Sequence, residues 1–220
     1  MPPLLDATDP WIRWDWVGNH GDLILGALGQ HVELTAIAVG AGMLVAIPIG
    51  VLAWRYRGSR GPVLGLAGAF YTIPSLALFA LLVPWTGLTV LTAEIGLVAY
   101  TLLILVRNIV VGLDGVPADV RDAAMGMGFR PLRQLLRVDL PLALPVIIAG
   151  LRIATVTTIG LITITALIGE GGLGQLLYDG LQRDFKTPLV VGATLSVALA
   201  IVADLTLAVV QRLLTPWRTA

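Results

Sequence analysis

From Gly61 to Ala93 the chain carries no charged residue. A helix of that length would reach roughly 50 Å at about 1.5 Å per residue, against a hydrocarbon core of about 30 Å. The run therefore needs a break, and Pro84-Trp85-Thr86-Gly87 supplies one. No ordinary soluble domain is built this way. Only 13% of the 220 residues are charged and 57% are hydrophobic, where soluble domains carry about 25% charge. Mean hydropathy is +0.89.

The expected fold is all-α and polytopic, with about five transmembrane helices. The spans read as 33–54, 62–83, 88–111, 140–168 and 188–211, inside a single membrane domain 31–212. Arg55, Arg57 and Arg60 close the first span. Residues 1–30 form a separate N-terminal segment whose Asp6, Asp9, Asp15 and Asp22 outnumber Arg13. It lacks the basic start and apolar core of a signal peptide. Trp11, Trp14 and Trp16 suit a helix in the headgroup layer. His20 and His31 read as polar residues just outside the first span.

Lys and Arg set the orientation of short loops. One side collects Arg55, Arg57, Arg60, Arg121, Arg130, Arg133 and Arg137, with Arg212 and Arg218 in the tail; the other has Arg13, Arg183 and Lys186. This places the N-terminus outside and the tail 213–220 in the cytoplasm. A net charge of zero argues against a nucleic-acid partner, and the absence of cysteine excludes disulfides and thiolate chemistry.

Residues 112–139 are too polar to span and fall on the cytoplasmic side. Pro117 suits the first position of a helix, and Asp119 and Asp122 suit its early turns, where the dipole favours carboxylates. Ala123 and Ala124 offer a small surface for a partner. Gly128 fits a left-handed helix end. A second helix is expected from Pro131 to Arg137, with Leu132, Leu135 and Leu136 on one face. Pro141 is expected to redirect the chain into the fourth span.

The stretch from Asp122 to Pro145 reads DAAMGMGFRPLRQLLRVDLPLALP. Its spacing resembles the E-A-A-x-x-x-G-x9-I-x-L-P signature of ABC importer permeases, with Asp122 for Glu and Val138 for Ile. The resemblance implies a coupling segment at Asp122, Ala123, Ala124, Gly128, Val138, Leu140 and Pro141 that docks on an ATPase. Further stretches are similar to the glycine betaine, carnitine and choline group. They include Thr72-Ile73-Pro74-Ser75-Leu76-Ala77-Leu78, Ala149-Gly150-Leu151-Arg152 and Ile168-Gly169-Glu170-Gly171-Gly172-Leu173-Gly174. Tyr71 stands where that group usually has Gln, and Glu170 where it usually has Ala.

This resemblance implies an osmoprotectant importer with a cytoplasmic ABC ATPase dimer, a second permease subunit (the same chain or a paralogue) and a separate extracytoplasmic solute-binding protein. The chain is expected to bind no cofactor; ATP and magnesium would sit on the ATPase. Gly169–Gly174 lacks the Lys-Ser/Thr of a phosphate loop and reads as a flexible outer turn or gate.

Intramembrane charge needs a partner or a task. Arg152 and Asp204 are expected to pair across the bundle, or each to meet a different partner. Glu94 meets a cationic solute or reaches interfacial water. Tyr71 offers a cation–π face to a quaternary ammonium or packs between helices. Pro74, with Pro48, marks kinks framing a path. Tyr71, Pro74, Glu94, Arg152 and Asp204 are thus the candidate path residues. Two other readings stay open: a methionine-type or other amino-acid importer permease, and a membrane scaffold or sensor that recruits an ATPase without transport.

Overall fold

The computed structural model describes residues 10–218. Asp6 and Asp9, and Thr219 and Ala220 of the expected tail, lie outside the described residues. Ten α-helices follow in order: α1 Trp14–Asn19, α2 Gly21–Arg55, α3 Arg57–Thr72, α4 Ser75–Thr86, α5 Val90–Asp114, α6 Ala118–Gly126, α7 Pro131–Gln134, α8 Leu140–Thr165, α9 Leu173–Gln182 and α10 Lys186–Leu214. A π turn, Leu135–Asp139, joins α7 to α8, and a 3-10 turn extends α8 to Ile168.

Four helical runs are long and apolar enough to cross a membrane: α2, α5, Pro131–Ile168 and α10. Helices α3 and α4 supply a fifth only as a broken pair. The expected continuous helix over 62–83 is therefore interrupted. Ile73 and Pro74 are extended, with ψ of 128° and 133°. Proline has no N–H to continue the ladder, and carbonyls before the break lose their helical partners. The Tyr100 hydroxyl donates to the Ile73 carbonyl oxygen, and a freed backbone group in a membrane requires such a partner.

Helix α2 begins well before the expected first span, so His31 is not outside it. His31 is fully buried within α2. Trp16 is half-buried and stacks on His20 at 4.4 Å, while Trp14 stays 73% exposed. Pro141 also departs from expectation: it does not redirect the chain but sits in the first turn of α8, after a helical Leu140. The wider π turn just before it relieves the clash of a proline ring with the carbonyl four residues back.

The chain divides into two compact units. The first holds residues up to 38, 74–97 and 157–202; the second holds 39–73, 98–156 and 203 onward. In the second, Leu105, Val106, Ile109, Val110 and Leu113 form one stripe of α5 and pack with Ala46, Ala53, Ala143 and Ile147. Small residues let these backbones approach. A Cβ on Gly50 would lie 2.7 Å from Ile109 Cγ2. Close van der Waals contact of this kind, rather than water exclusion, holds helices together in lipid.

In the first unit, Leu34, Ala38, Phe79, Ala93, Leu97 and Ile162 form the main cluster. The glycine-rich segment after α8 is tied down rather than free. The Gly172 amide donates to Gln30 Oε1 at 3.1 Å, and the Leu173 amide donates to His31 Nδ1 at 3.3 Å. Gly172 has φ +51°, and a Cβ there would lie 2.8 Å from the His31 backbone, so only glycine fits.

Candidate coupling site

The polar segment of the second unit is built around α6. Pro117 caps this helix from an extended conformation (ψ 143°) instead of occupying its first turn, and Asp119 is the first-turn carboxylate. The helix closes at Met127. The Phe129 amide donates to the Ala124 carbonyl (3.1 Å) and the Gly128 amide to the Met125 carbonyl (2.9 Å). This pair of bonds is the Schellman arrangement, and Gly128 at φ +78° supplies the left-handed residue it needs.

The two alanines face opposite ways. Ala124 is 1% exposed and packs inward, so it offers no docking surface; Ala123 and Asp122 are exposed. The outward surface also carries Met125, Met127, Leu132 and Leu136, all more than half exposed. An apolar patch of flexible thioethers suits contact with a partner. The two methionines were not singled out from sequence, although their position inside the signature was a usable signal. Val138 and Leu140 are half-buried in the π turn and the start of α8.

Arg121 fixes this helix to its surroundings. Its Nε donates to Asp139 Oδ1 at 2.8 Å, its Nη2 donates to the Leu113 carbonyl, and the guanidinium lies 5.1 Å from the Trp54 ring centre. Asp139 is 2% exposed. One side chain thus links α6 to the π turn, to the end of α5 and to the end of α2. A second pair, Arg60 to Asp114 at 2.9 and 3.0 Å, ties α3 to α5. Arg121 was read from sequence only as a loop charge, and Asp139 was not singled out. A cavity of about 570 Å³ opens beside this cluster, lined by Trp54, Arg55, Arg57, Met125 and Leu135 among others.

Residues 38–216 match the family model of the binding-protein-dependent transport system inner membrane component. The chain belongs to this family. Three curated relatives are similar over most of their length. The osmoprotectant import permease protein OsmW of Salmonella typhimurium is 42% identical over 192 residues, covering 85% of this chain and 89% of the relative. The choline transport system permease protein OpuBB of Bacillus subtilis is 38% identical, covering 90% and 91%. The glycine betaine/carnitine/choline transport system permease protein OpuCB of the same organism is 36% identical, with the same coverage. The fold is similar to a chain of the MetNI methionine ABC transporter in an inward-facing conformation, with TM-score 0.76 and 22% identity over 88% of this chain and 96% of that one.

In this multi-pass membrane permease the remaining sequence-predicted residues fall into separate places. Arg152 and Asp204 meet. Nε and Nη2 of Arg152 donate to the two carboxylate oxygens of Asp204, each at 2.8 Å. Gln211, not anticipated from sequence, extends the cluster by accepting from Arg152 at 3.3 Å and donating to the Pro145 carbonyl at 2.8 Å. Residues 145 and 152 on α8, and 204 and 211 on α10, are each seven apart, a spacing that keeps them on one helix face.

Tyr71 packs edge-on against Tyr100, with ring centres 5.8 Å apart, and is 41% exposed. Pro74 caps α4 at the helix break. Glu94 lies in the other unit from Tyr71, Arg152 and Asp204. It is 8% exposed, and neither carboxylate oxygen has a hydrogen-bond partner among the described residues. It does not reach outward as an interfacial side chain would.

Proposed function

We propose that this permease serves an ATP-driven importer of osmoprotectants such as glycine betaine, carnitine or choline. The observation that carries this reading is the identity of 36–42% to three permeases named for those solutes, over 85–90% of this chain. The methionine transporter, at 22% identity, is a likeness of fold. A separate cytoplasmic ATPase dimer would bind ATP and magnesium. An extracytoplasmic binding protein would deliver the solute. A second permease subunit, identical or paralogous, would complete the path. The N-terminus would face outward and the C-terminus the cytoplasm.

In this scheme closure of the ATPase dimer acts on residues 117–138 and favours one access state over the other. Any such shift is limited by the ATPase's differential affinity for the two states. The exposed faces of Asp122, Ala123, Met125 and Met127 form the contact, and Arg121 carries displacement to α2, α5 and the π turn. Tyr71, Pro74, Glu94, Arg152 and Asp204 belong to the membrane path or its frame.

The complex reconstituted in vesicles, with its binding protein and ATPase, tests this. Choline, carnitine or glycine betaine should stimulate ATP hydrolysis and accumulate. Stimulation by methionine alone would replace the osmoprotectant reading with the amino-acid one. ATP hydrolysis with no solute moved would favour a scaffold or sensor.

A further inference from the structure

Glu94 is the fifth residue of α5, about 6 Å along the axis from Val90. A carboxylate with both oxygens unmet is costly in such a place, and its surroundings offer no relief. A second carboxylate of the same unit, Glu33, lies on α2. A third, Glu170, accepts from Gln30 Nε2 at 2.9 Å, a neutral amide that leaves its charge in place.

Among the described helices of this unit the one cation is Lys186 at the start of α10, and its Nζ lies over the Trp11 ring, 5.5 Å from the centre. The unit's parts of α2, α4, α5 and α8 contain no Lys or Arg. His31 does not fill the gap. Its Nδ1 accepts from the Leu173 amide, so that nitrogen carries no proton, and Nε2 donates to the Ile159 carbonyl at 3.1 Å. This is the neutral imidazole. Next to Glu94, Ala93 and Leu97 pack with Phe79 in a buried apolar cluster, each at most 1% exposed, so on that side nothing polar screens the carboxylate.

We infer that Glu94 is a selectivity residue of the path: it supplies the counter-charge for a quaternary ammonium and favours solutes of net positive charge, choline-like, over zwitterions. This inference rests on the osmoprotectant reading. Glycine betaine and carnitine carry their own carboxylate, which adds another negative charge to a unit already holding Glu33, Glu94 and Glu170. Choline carries none.

The test is uptake of choline and of glycine betaine into vesicles holding the complete complex, each at saturation of one and the same binding protein. Comparing the choline-to-betaine ratio between wild type and variant cancels the preference of the binding protein. Glu94→Gln should lower the ratio by about tenfold, the scale of one close charge–charge interaction in a protein interior, while betaine uptake persists. Glu94→Asp, which keeps the charge, should hold the wild-type ratio. An unchanged ratio in E94Q, or a ratio lost equally in E94D, overturns the inference while leaving osmoprotectant transport intact. Wild-type vesicles that move neither solute remove the osmoprotectant reading, and this inference with it.

Discussion

Replacing Arg121 with Ala strands a buried charge. Asp139 is 2% exposed and has Arg121 as its ion-pair partner. Breaking a buried pair from one side costs about 3–5 kcal/mol. The Arg121 side chain is 24% exposed, so water reaches part of the site and the lower end, about 3 kcal/mol, is expected. Loss of the contact with Trp54 adds about 0.5–1 kcal/mol. Asp139→Ala should cost less, about 1–2 kcal/mol, because the freed guanidinium still reaches solvent and the Leu113 carbonyl. The double variant should then recover about 2 kcal/mol relative to the sum of the singles. For a chain of this size about 3 kcal/mol corresponds to a Tm lower by roughly 10 °C, measurable by thermal unfolding of the purified protein in detergent. The reconstituted complex should also move less solute per ATP in Arg121→Ala. Additive single variants, with coupling below about 0.5 kcal/mol, would refute the argument that this pair holds α6 in place.

The opposed alanines of α6 separate docking from folding. Ala123→Trp should keep the thermal stability of the wild type and abolish solute-stimulated ATP hydrolysis; Ala124→Trp should lower stability by overpacking, about 1–3 kcal/mol. Equal stability of the two variants would show that the helix faces are assigned wrongly. Gly128→Ala, forced to φ +78°, should lower Tm in detergent through a left-handed penalty of about 1–2 kcal/mol, and an unchanged or higher Tm would count against the cap.

Long apolar runs made the spans of α5 and α10 legible, because chain length against bilayer thickness leaves few alternatives. The spacing from Asp122 to Pro141 made the coupling segment legible. What escaped was decided by distant partners. The kink marked at Pro74 is a full break in the helix, stabilised by Tyr100, a residue 27 positions away that no neighbour of Pro74 in the sequence announces. His31 sits inside α2 because the Leu173 amide and the Ile159 carbonyl satisfy its ring. Neither partner is a side-chain signal. The inward turn of Ala124 was hidden by the shortness of α6, whose nine residues hold too few apolar positions for a periodicity to declare itself. Pro141 misled because the rule for the residue before proline is a preference that tertiary context overrides: Leu140 is helical, and the π turn ahead of it relieves the clash of the ring with the carbonyl four residues back.

The two faces of α6 have different freedoms to change. The inward side, Ala124 with Arg121 beside it, is held by neighbours in the same chain and tolerates little. The outward side, with Asp122, Ala123, Met125 and Met127, answers only to whatever docks there. Exchanging those outward residues for a relative's should transfer compatibility with that relative's ATPase while the membrane part stays as it is. Partner identity and force transmission are in this way inherited separately, on opposite sides of one short helix.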